Sequence, residues 1–155
     1  MRMSVGLSSC VVLLGLLQAC ASVPMASAEQ DAKSKTFAAP PANETSLYVF
    51  RNSAWELAGA REIRLDGVLL GAMADEVYLH RQIAPGTHTM AAESEFGEIS
   101  IAFKAEAGKL CFVRLYFDWG LFVCTSRLAQ VSEEEGKDWV LNSHEALGEP
   151  VKAAP

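Results

Sequence analysis

The sequence has few of the residues and motifs that indicate enzymatic chemistry. It contains three histidines and four cysteines in 155 residues, and no two histidines have the i, i+2 or i, i+4 spacing of metal ligands. No Gly-x-Ser-x-Gly turn is present to position a nucleophilic serine. Asp66, Asp75 and Asp118 all lie beside turns, where aspartate stabilises local backbone. The sequence therefore predicts no catalytic residues, no metal and no cofactor.

Positive charge is also scarce. Lys and Arg number 13 against 19 Asp and Glu, which gives a net charge of −6. Nucleic-acid binding requires a basic surface for phosphate contacts, and flat adhesion to anionic lipid has the same requirement. The composition therefore excludes nucleic acid as an expected partner.

The chain has one long apolar run, over residues 5–19, following Arg2. It is too short to cross a bilayer comfortably, because a spanning helix needs about 20 apolar residues. A short positive region followed by a short apolar region is typical of a signal peptide. The sequence LQAC at 17–20 resembles a bacterial lipobox, in which the chain is cleaved before the cysteine and the thiol is acylated. We predict a signal peptide over residues 1–19 and a lipid such as palmitate on Cys20.

Lipidation predicts a location in the bacterial cell envelope. Two or three acyl chains form a stable anchor, since each buried methylene contributes about 0.8 kcal/mol. Ala21 and Ser22 follow Cys20, and the absence of aspartate there resembles an outer-membrane address. Loss of the one basic residue in the signal leaves 12 basic and 19 acidic residues, a net charge of −7. The alternative is plain secretion, with cleavage after Ala26 or Ala28.

Composition divides the mature chain into three parts. Residues 20–45 are rich in Ala, Ser, Pro and Lys, and they contain almost no large apolar groups. Such a segment buries too little surface to offset its ordering entropy, so we predict a flexible tether. Residues 46–147 are predicted to form one folded domain, and 148–155 a disordered tail.

The domain consists of short alternating runs separated by turn residues. EISIAFKAE at 98–106 alternates apolar and polar residues most clearly. Asp66-Gly67 is a strong hairpin signal. Seven or eight runs of this kind predict an all-β fold, an antiparallel β-sandwich.

The residues after 131 have a helical pattern instead. Ser132 with Glu135 three residues later matches a capping box. A short C-terminal helix packed on one sheet is expected, with Leu147 on its apolar face. Gly136 lies inside this helix and weakens it by about 1 kcal/mol relative to alanine.

Cys111 and Cys124 form a candidate disulfide, because the periplasm favours disulfides. A hairpin turning symmetrically at 117–118 places the two cysteines opposite each other. A three-residue loop over 118–120 instead places Cys111 opposite Arg127, too far from its partner for a bond. The sequence leaves both registers open.

Three side chains are candidate partner contacts. Trp55 lies in an aperiodic segment between strands, and Trp119 lies at the expected hairpin tip. Tryptophans in such positions either anchor a loop on the core or contact a partner. Arg51 could flank the same recognition surface, although a solvated strand end explains it equally well.

Four segments in order, LYVFR, IRLDG, APGTHTM and LAQVSEEEG, resemble a family of small bacterial lipoproteins that share a domain of unknown function, DUF2846. The resemblance covers residues 46–141. The middle part is also similar to PEGA-type and carboxypeptidase-regulatory-like β-sandwich modules. The resemblance implies a β-sandwich at the cell envelope and no enzymatic activity.

We therefore expect a lipid-anchored protein on the periplasmic side of the membrane, with a binding or structural role toward another envelope protein or a cell-wall component. The alternatives are an envelope hydrolase with acids on an open sheet face and a small-ligand carrier. A concave pocket with titratable groups of shifted pKa would indicate a hydrolase. An exposed apolar patch would indicate a binding module, and a large cavity between the sheets a carrier.

Overall fold

The computed structural model describes residues 23–51, 59–119 and 124–149, which form nine strands and two helices. The strands are β1 (Thr45–Arg51), β2 (Arg61–Leu65), β3 (Val68–Met73), β4 (Val77–Ile83), β5 (Gly86–Ser94), β6 (Gly97–Ala105), β7 (Leu110–Trp119), β8 (Cys124–Val131) and β9 (His144–Glu145). The helices are α1 (Ala28–Ser34) and α2 (Glu133–Leu141). Neither helix in this part of the chain has the length and apolar content needed to cross a membrane.

The strands form two sheets packed as a sandwich. The first has the order β8-β7-β1-β4-β9, and the second has the order β3-β2-β5-β6. The all-β sandwich with a C-terminal helix is confirmed, and β1 to β8 correspond to the runs that alternation predicted. The first sheet is mixed rather than antiparallel, because β1 runs parallel to β7 and β4 parallel to β9. Alternation of apolar and polar residues identifies strands but does not indicate whether two paired strands run parallel or antiparallel.

β1 is the centre of the first sheet and is buried along its whole length. A continuous apolar run is typical of a strand covered on both faces. Leu47 and Val49 belong to the main core between the sheets. Tyr48 and Phe50 belong to a second cluster with Phe112, which the helices cover. The helices therefore form a third layer on the outer face of the first sheet.

α2 begins at the predicted capping box, where Ser132 Oγ accepts a hydrogen bond from the Glu135 amide at 3.2 Å. It ends at Leu141, and the following residues form β9 beside the start of β4. The prediction that Leu147 lies on this helix is wrong. Pairing of β9 with β4 satisfies backbone groups that a longer helix would have used internally.

The prediction of a flexible tether over 20–45 is wrong for residues 23–45. Ser27 caps α1 by accepting a hydrogen bond from the Gln30 amide at 3.2 Å. Val23 is 7 % exposed and belongs to the main core. The spacing Ser27-x-x-Gln30 is itself a capping-box pattern, so a signal for α1 was present despite the weak apolar content.

The C-terminal boundary also moves relative to the sequence prediction. The Glu149 amide donates a hydrogen bond to Leu70 O at 2.9 Å, so the chain remains attached to β3 at that point. Residues 148 and 149 are therefore not part of a disordered tail. The remainder of the predicted tail, 150–155, and the predicted signal peptide with Cys20 lie outside the described residues.

Candidate functional site

The two ends of the sandwich contain different polar groups. At the Arg51 end, β1 and β7 finish and β2, β4 and β8 begin. At the Asp66 end lie the turns from β2 to β3 and from β4 to β5. Segments 52–58 and 120–123 connect strands at the Arg51 end and are outside the described residues. Arg51 and Trp119, two of the candidate contacts, are the last residues of strands that finish at this end.

Two of the predicted contacts are only partly described. Trp55 lies within 52–58, so its environment is outside the described residues. Trp119 is the last residue of β7 rather than the hairpin tip, because four residues, 120–123, connect β7 to β8. The side chain of Trp119 also lies outside the described part.

Arg51 is not a surface contact, and that prediction is wrong. Its side chain is completely buried. Its Nη1 donates hydrogen bonds to Gly59 O at 2.9 Å and to Met73 O at 3.2 Å. Its guanidinium lies 5.0 Å from the centre of the Phe117 ring. Burial lowers the pKa of Arg51, and the negative charge of Asp75 opposes this shift.

Glu95 joins the two sheets at the Arg51 end. Its carboxylate accepts hydrogen bonds from the Ser126 amide at 3.1 Å and from Arg61 Nη2 at 2.8 Å. Burial raises the pKa of Glu95, but these hydrogen bonds and the charge of Arg61 outweigh it, so the pKa is lowered. Arg61 Nε is buried and has no hydrogen-bond partner among the described residues.

A groove of about 430 Å³ lies between the edge strands β6 and β8. Its lining from the described residues is Ile99, Ser100, Ile101, Thr125, Ser126, Arg127 and Leu128. Gln130 bridges the same two strands beyond the groove, with its amide nitrogen donating to Lys104 O at 3.0 Å. Edge strands present unpaired backbone groups that can pair with another chain. The groove thus combines apolar side chains with two strand edges.

An exposed aromatic residue is the sequence neighbour of Glu95, whose carboxylate binds Ser126 of this groove. Phe96 follows Glu95 in the turn between β5 and β6 and is 77 % exposed. A phenylalanine this exposed can supply apolar contact area to a partner. We define the docking face as Phe96 together with the groove. Sequence analysis missed this face, because turn residues and strand edges have no composition that marks a partner contact.

The predicted disulfide between Cys111 and Cys124 is absent, since both registers considered are wrong. In the observed register Cys124 pairs with Trp119, eight residues along β7 from Cys111. That separation is about 26 Å at 3.3 Å per residue, far beyond the reach of a disulfide. Cys111 is a free, buried thiol. Burial raises its pKa to about 11, although a hydrogen bond from Gln130 opposes the shift.

A buried serine–histidine arrangement lies under α1. His80 Nε2 is 2.7 Å from Ser46 Oγ, and His80 Nδ1 is 3.2 Å from Ser34 Oγ. The ring also stacks on Tyr48 with centroids 4.4 Å apart. Burial lowers the pKa of His80, which favours the neutral ring. Ser46 is 1 % exposed, so a substrate has no access, and these contacts attach α1 to the sheet.

At the Asp66 end, His88 lies within hydrogen-bond distance of the β2–β3 turn and of the β4–β5 turn. His88 Nδ1 is 2.6 Å from Asp66 Oδ2, and His88 Nε2 is 2.8 Å from Ala84 O. Burial lowers the pKa of His88, but the bonds to Asp66 and Ala84 outweigh it, so the pKa is raised. Burial raises the pKa of Asp66, but the bonds from His88 and Thr89 outweigh it, so the pKa is lowered.

The His88–Asp66 pair predicts a pH-dependent coupling energy. The raised His88 pKa stabilises the fold below the ordinary value of 6.5 and loses effect as pH rises. The lowered Asp66 pKa stabilises it above 3.8 and loses effect as pH falls. A double-mutant cycle of Asp66→Asn and His88→Gln, measured by urea unfolding, should therefore give about 0.5–1 kcal/mol near pH 5.5. Equal coupling at about pH 9 would contradict this, because only His88⁺ adds the ionic part.

The described residues contain no group of three His, Cys, Asp or Glu side chains arranged to hold a metal ion. Among the described residues that line the groove, Arg127 has the one ionisable side chain. The arrangement therefore provides apolar contact, strand edges and a fixed ionic network at the Arg51 end. These features can bind an extended or apolar partner.

The described part of the chain is a β-sandwich of one five-stranded and one four-stranded sheet. The family model "Protein of unknown function (DUF2846)" matches residues 41–126, and the chain belongs to this family. An uncharacterized protein of Haemophilus influenzae is 40% identical over 122 residues, which cover 79% of this chain and 73% of that protein. No solved structure matches the chain.

Proposed function

We propose that this protein is a lipid-anchored component of the bacterial cell envelope that binds another envelope protein or cell-wall material without catalysing a reaction. The observation that carries the proposal is the LQAC sequence at 17–20, at the end of a short apolar run. A run too short to span a bilayer that ends in a cysteine is explained by cleavage and acylation at Cys20. Ala21 and Ser22 after the cysteine support an outer-membrane location.

The docking face supports the binding role. It combines Phe96, which is 77 % exposed, with the groove between β6 and β8. A hydrogen-bonded contact connects the two sheets at each end of the groove. At one end the Glu95 carboxylate accepts from the Ser126 amide, and at the other the Gln130 side chain donates to Lys104 O. Such contacts hold the two edges at a fixed separation, which lowers the entropy cost of binding a partner.

Lipidation is tested by the variant Cys20→Ser. Because the thiol is the acceptor of the acyl group, we expect complete loss of palmitate labelling and release of the protein from the membrane fraction. Cys111→Ser is the matched control, since that thiol is buried and cannot accept a lipid without unfolding. Membrane association and labelling that persist in Cys20→Ser would refute the anchor.

Docking is tested by photocrosslinking in intact cells. Photoreactive residues at Phe96, Trp55 and Trp119 should give discrete adducts with one envelope protein or with cell-wall material. Glu106 at the Asp66 end is the control, because its side chain is 60% exposed but lies away from the docking face. Adducts at Glu106 alone, or at none of the positions, would refute docking through this face.

A further inference from the structure

The folded domain begins very close to the proposed lipid. Two residues, Ala21 and Ser22, separate Cys20 from Val23, which is 7 % exposed and belongs to the main core. Three consecutive Cα steps span at most about 11 Å. A domain attached through so short a segment cannot move freely above the membrane. The part of its surface around Val23 must stay within this distance of the lipid.

The chain enters the domain along one edge of the sandwich. Met25 forms an antiparallel bridge with Ala146, and the Leu147 amide donates to Pro24 O at 2.7 Å. The bond from the Glu149 amide to Leu70 O, at 2.9 Å, links the same edge to β3 in the second sheet. We call residues 23–26, 68–70 and 146–149 the entry edge.

Exposed apolar side chains are concentrated on the entry edge. Five large apolar side chains are well exposed among the described residues: Met25, Val68, Phe96, Leu141 and Leu147. Three of them, Met25 (43 %), Val68 (44 %) and Leu147 (50 %), lie on the entry edge. Exposed apolar patches mark membrane or protein contacts, and the short link to Cys20 selects the membrane as the occupant.

We propose that the entry edge lies against the bilayer that holds the lipid, with its three apolar side chains at the boundary between headgroups and acyl chains. This inference rests on the proposed lipidation of Cys20. The acidic net charge does not oppose it, because the contact is apolar and the acyl chains supply the attachment. No basic surface is required for this orientation.

This orientation determines where the docking face points. β9 and β3 are at one edge of their sheets, and β8 and β6 are at the opposite edge. Five strands separated by about 4.8 Å place the groove about 19 Å from the entry edge. The groove then faces away from the membrane and toward the periplasm, where a partner has access to it.

Fluorescence quenching in vesicles tests the orientation. The full-length lipidated protein would be purified from membranes and reconstituted in phosphatidylethanolamine and phosphatidylglycerol vesicles that contain nitroxide-labelled lipid. A fluorescent noncanonical residue would replace Leu147, Val68 or, as the exposed apolar control, Phe96. We expect at least about twofold quenching at positions 147 and 68, since side chains at this boundary insert about 5–10 Å, and almost none at position 96.

Equal quenching at positions 147, 68 and 96 in protein that is lipidated and floats with the vesicles would overturn the orientation while leaving the anchor intact. Protein that lacks the lipid by mass spectrometry would overturn the anchor and the orientation together. The double variant Met25→Glu/Leu147→Glu provides a second measurement. It should remain membrane-bound through its lipid and reduce quenching of a reporter at Val68, with an unchanged circular dichroism melting curve.

Discussion

Replacing Arg51 with methionine is expected to lower the free energy of unfolding by about 3–5 kcal/mol, because it removes two hydrogen bonds donated by a charged group inside the fold. The substitution keeps a long apolar stem but leaves Gly59 O and Met73 O without their donor. The Met73 carbonyl bond is buried, and a buried carbonyl left without a partner costs about 1–3 kcal/mol. Urea unfolding followed by circular dichroism measures the difference.

Arg127→Met is the matched control for this prediction. Arg127 is 57% exposed and pairs with Asp118 at 3.3 Å, so its removal should cost less than about 1 kcal/mol. Arg51→Lys should recover only part of the loss, because one ammonium group replaces a planar fork of several donors. If Arg51→Met unfolds no more easily than Arg127→Met, the buried network contributes nothing to stability.

Arg51 illustrates which properties of this fold are absent from local sequence. A charged residue at the end of an apolar strand is typical of a solvated terminus. Its burial depends on carbonyls of Gly59 and Met73, the second of them 22 residues away. Such contacts arise only when the two sheets pack. The cysteines were mispredicted for a different reason: the connection between β7 and β8 has four residues, and its length sets a register that neither sequence-based alternative contained.

Local signals were sufficient for much of the fold. Alternation over 98–106 and the Asp66-Gly67 turn correspond to β6 and to the β2–β3 hairpin. The capping box at Ser132 marks the start of α2. These features depend on neighbours within a few residues, where backbone geometry and side-chain type determine the structure. The parallel pairing of β1 with β7 involves residues more than 60 positions apart, and it has no local signature.

The docking face and the entry edge follow from this non-local packing. Neither the exposure of Phe96 nor the meeting of β6 with β8 has a sequence pattern. The docking face and the entry edge lie on opposite edges of the sandwich, and this placement follows only from the strand order of both sheets. The position of the N-terminal segment also depends on non-local packing. Because Val23 belongs to the main core, the link between Cys20 and the domain is short instead of a long flexible tether.

Replacing Gly136 with alanine is expected to destabilise the protein by about 2 kcal/mol, although helix propensity alone predicts a gain of about 1 kcal/mol. A Cβ atom at this position would lie 2.2 Å from Cγ of Phe112 and 2.6 Å from its Cβ. Phe112 is 1 % exposed and stacks on Tyr48 with centroids 5.1 Å apart, so it has no free space to move into. α2 must therefore shift away from β7, and thermal and urea unfolding would detect the loss.

Gly59→Ala is the matched control, because a Cβ there meets no atom of the described residues within 4 Å and its φ is not in the positive range. Its effect should stay within about 0.5 kcal/mol. The clash also predicts non-additivity: Phe112→Leu should cost stability alone but reduce the cost of Gly136→Ala when the two are combined. A stabilising Gly136→Ala, or strict additivity with Phe112→Leu, would mean that α2 does not pack closely on β7. Close packing explains why this helix keeps a glycine that an isolated helix would disfavour.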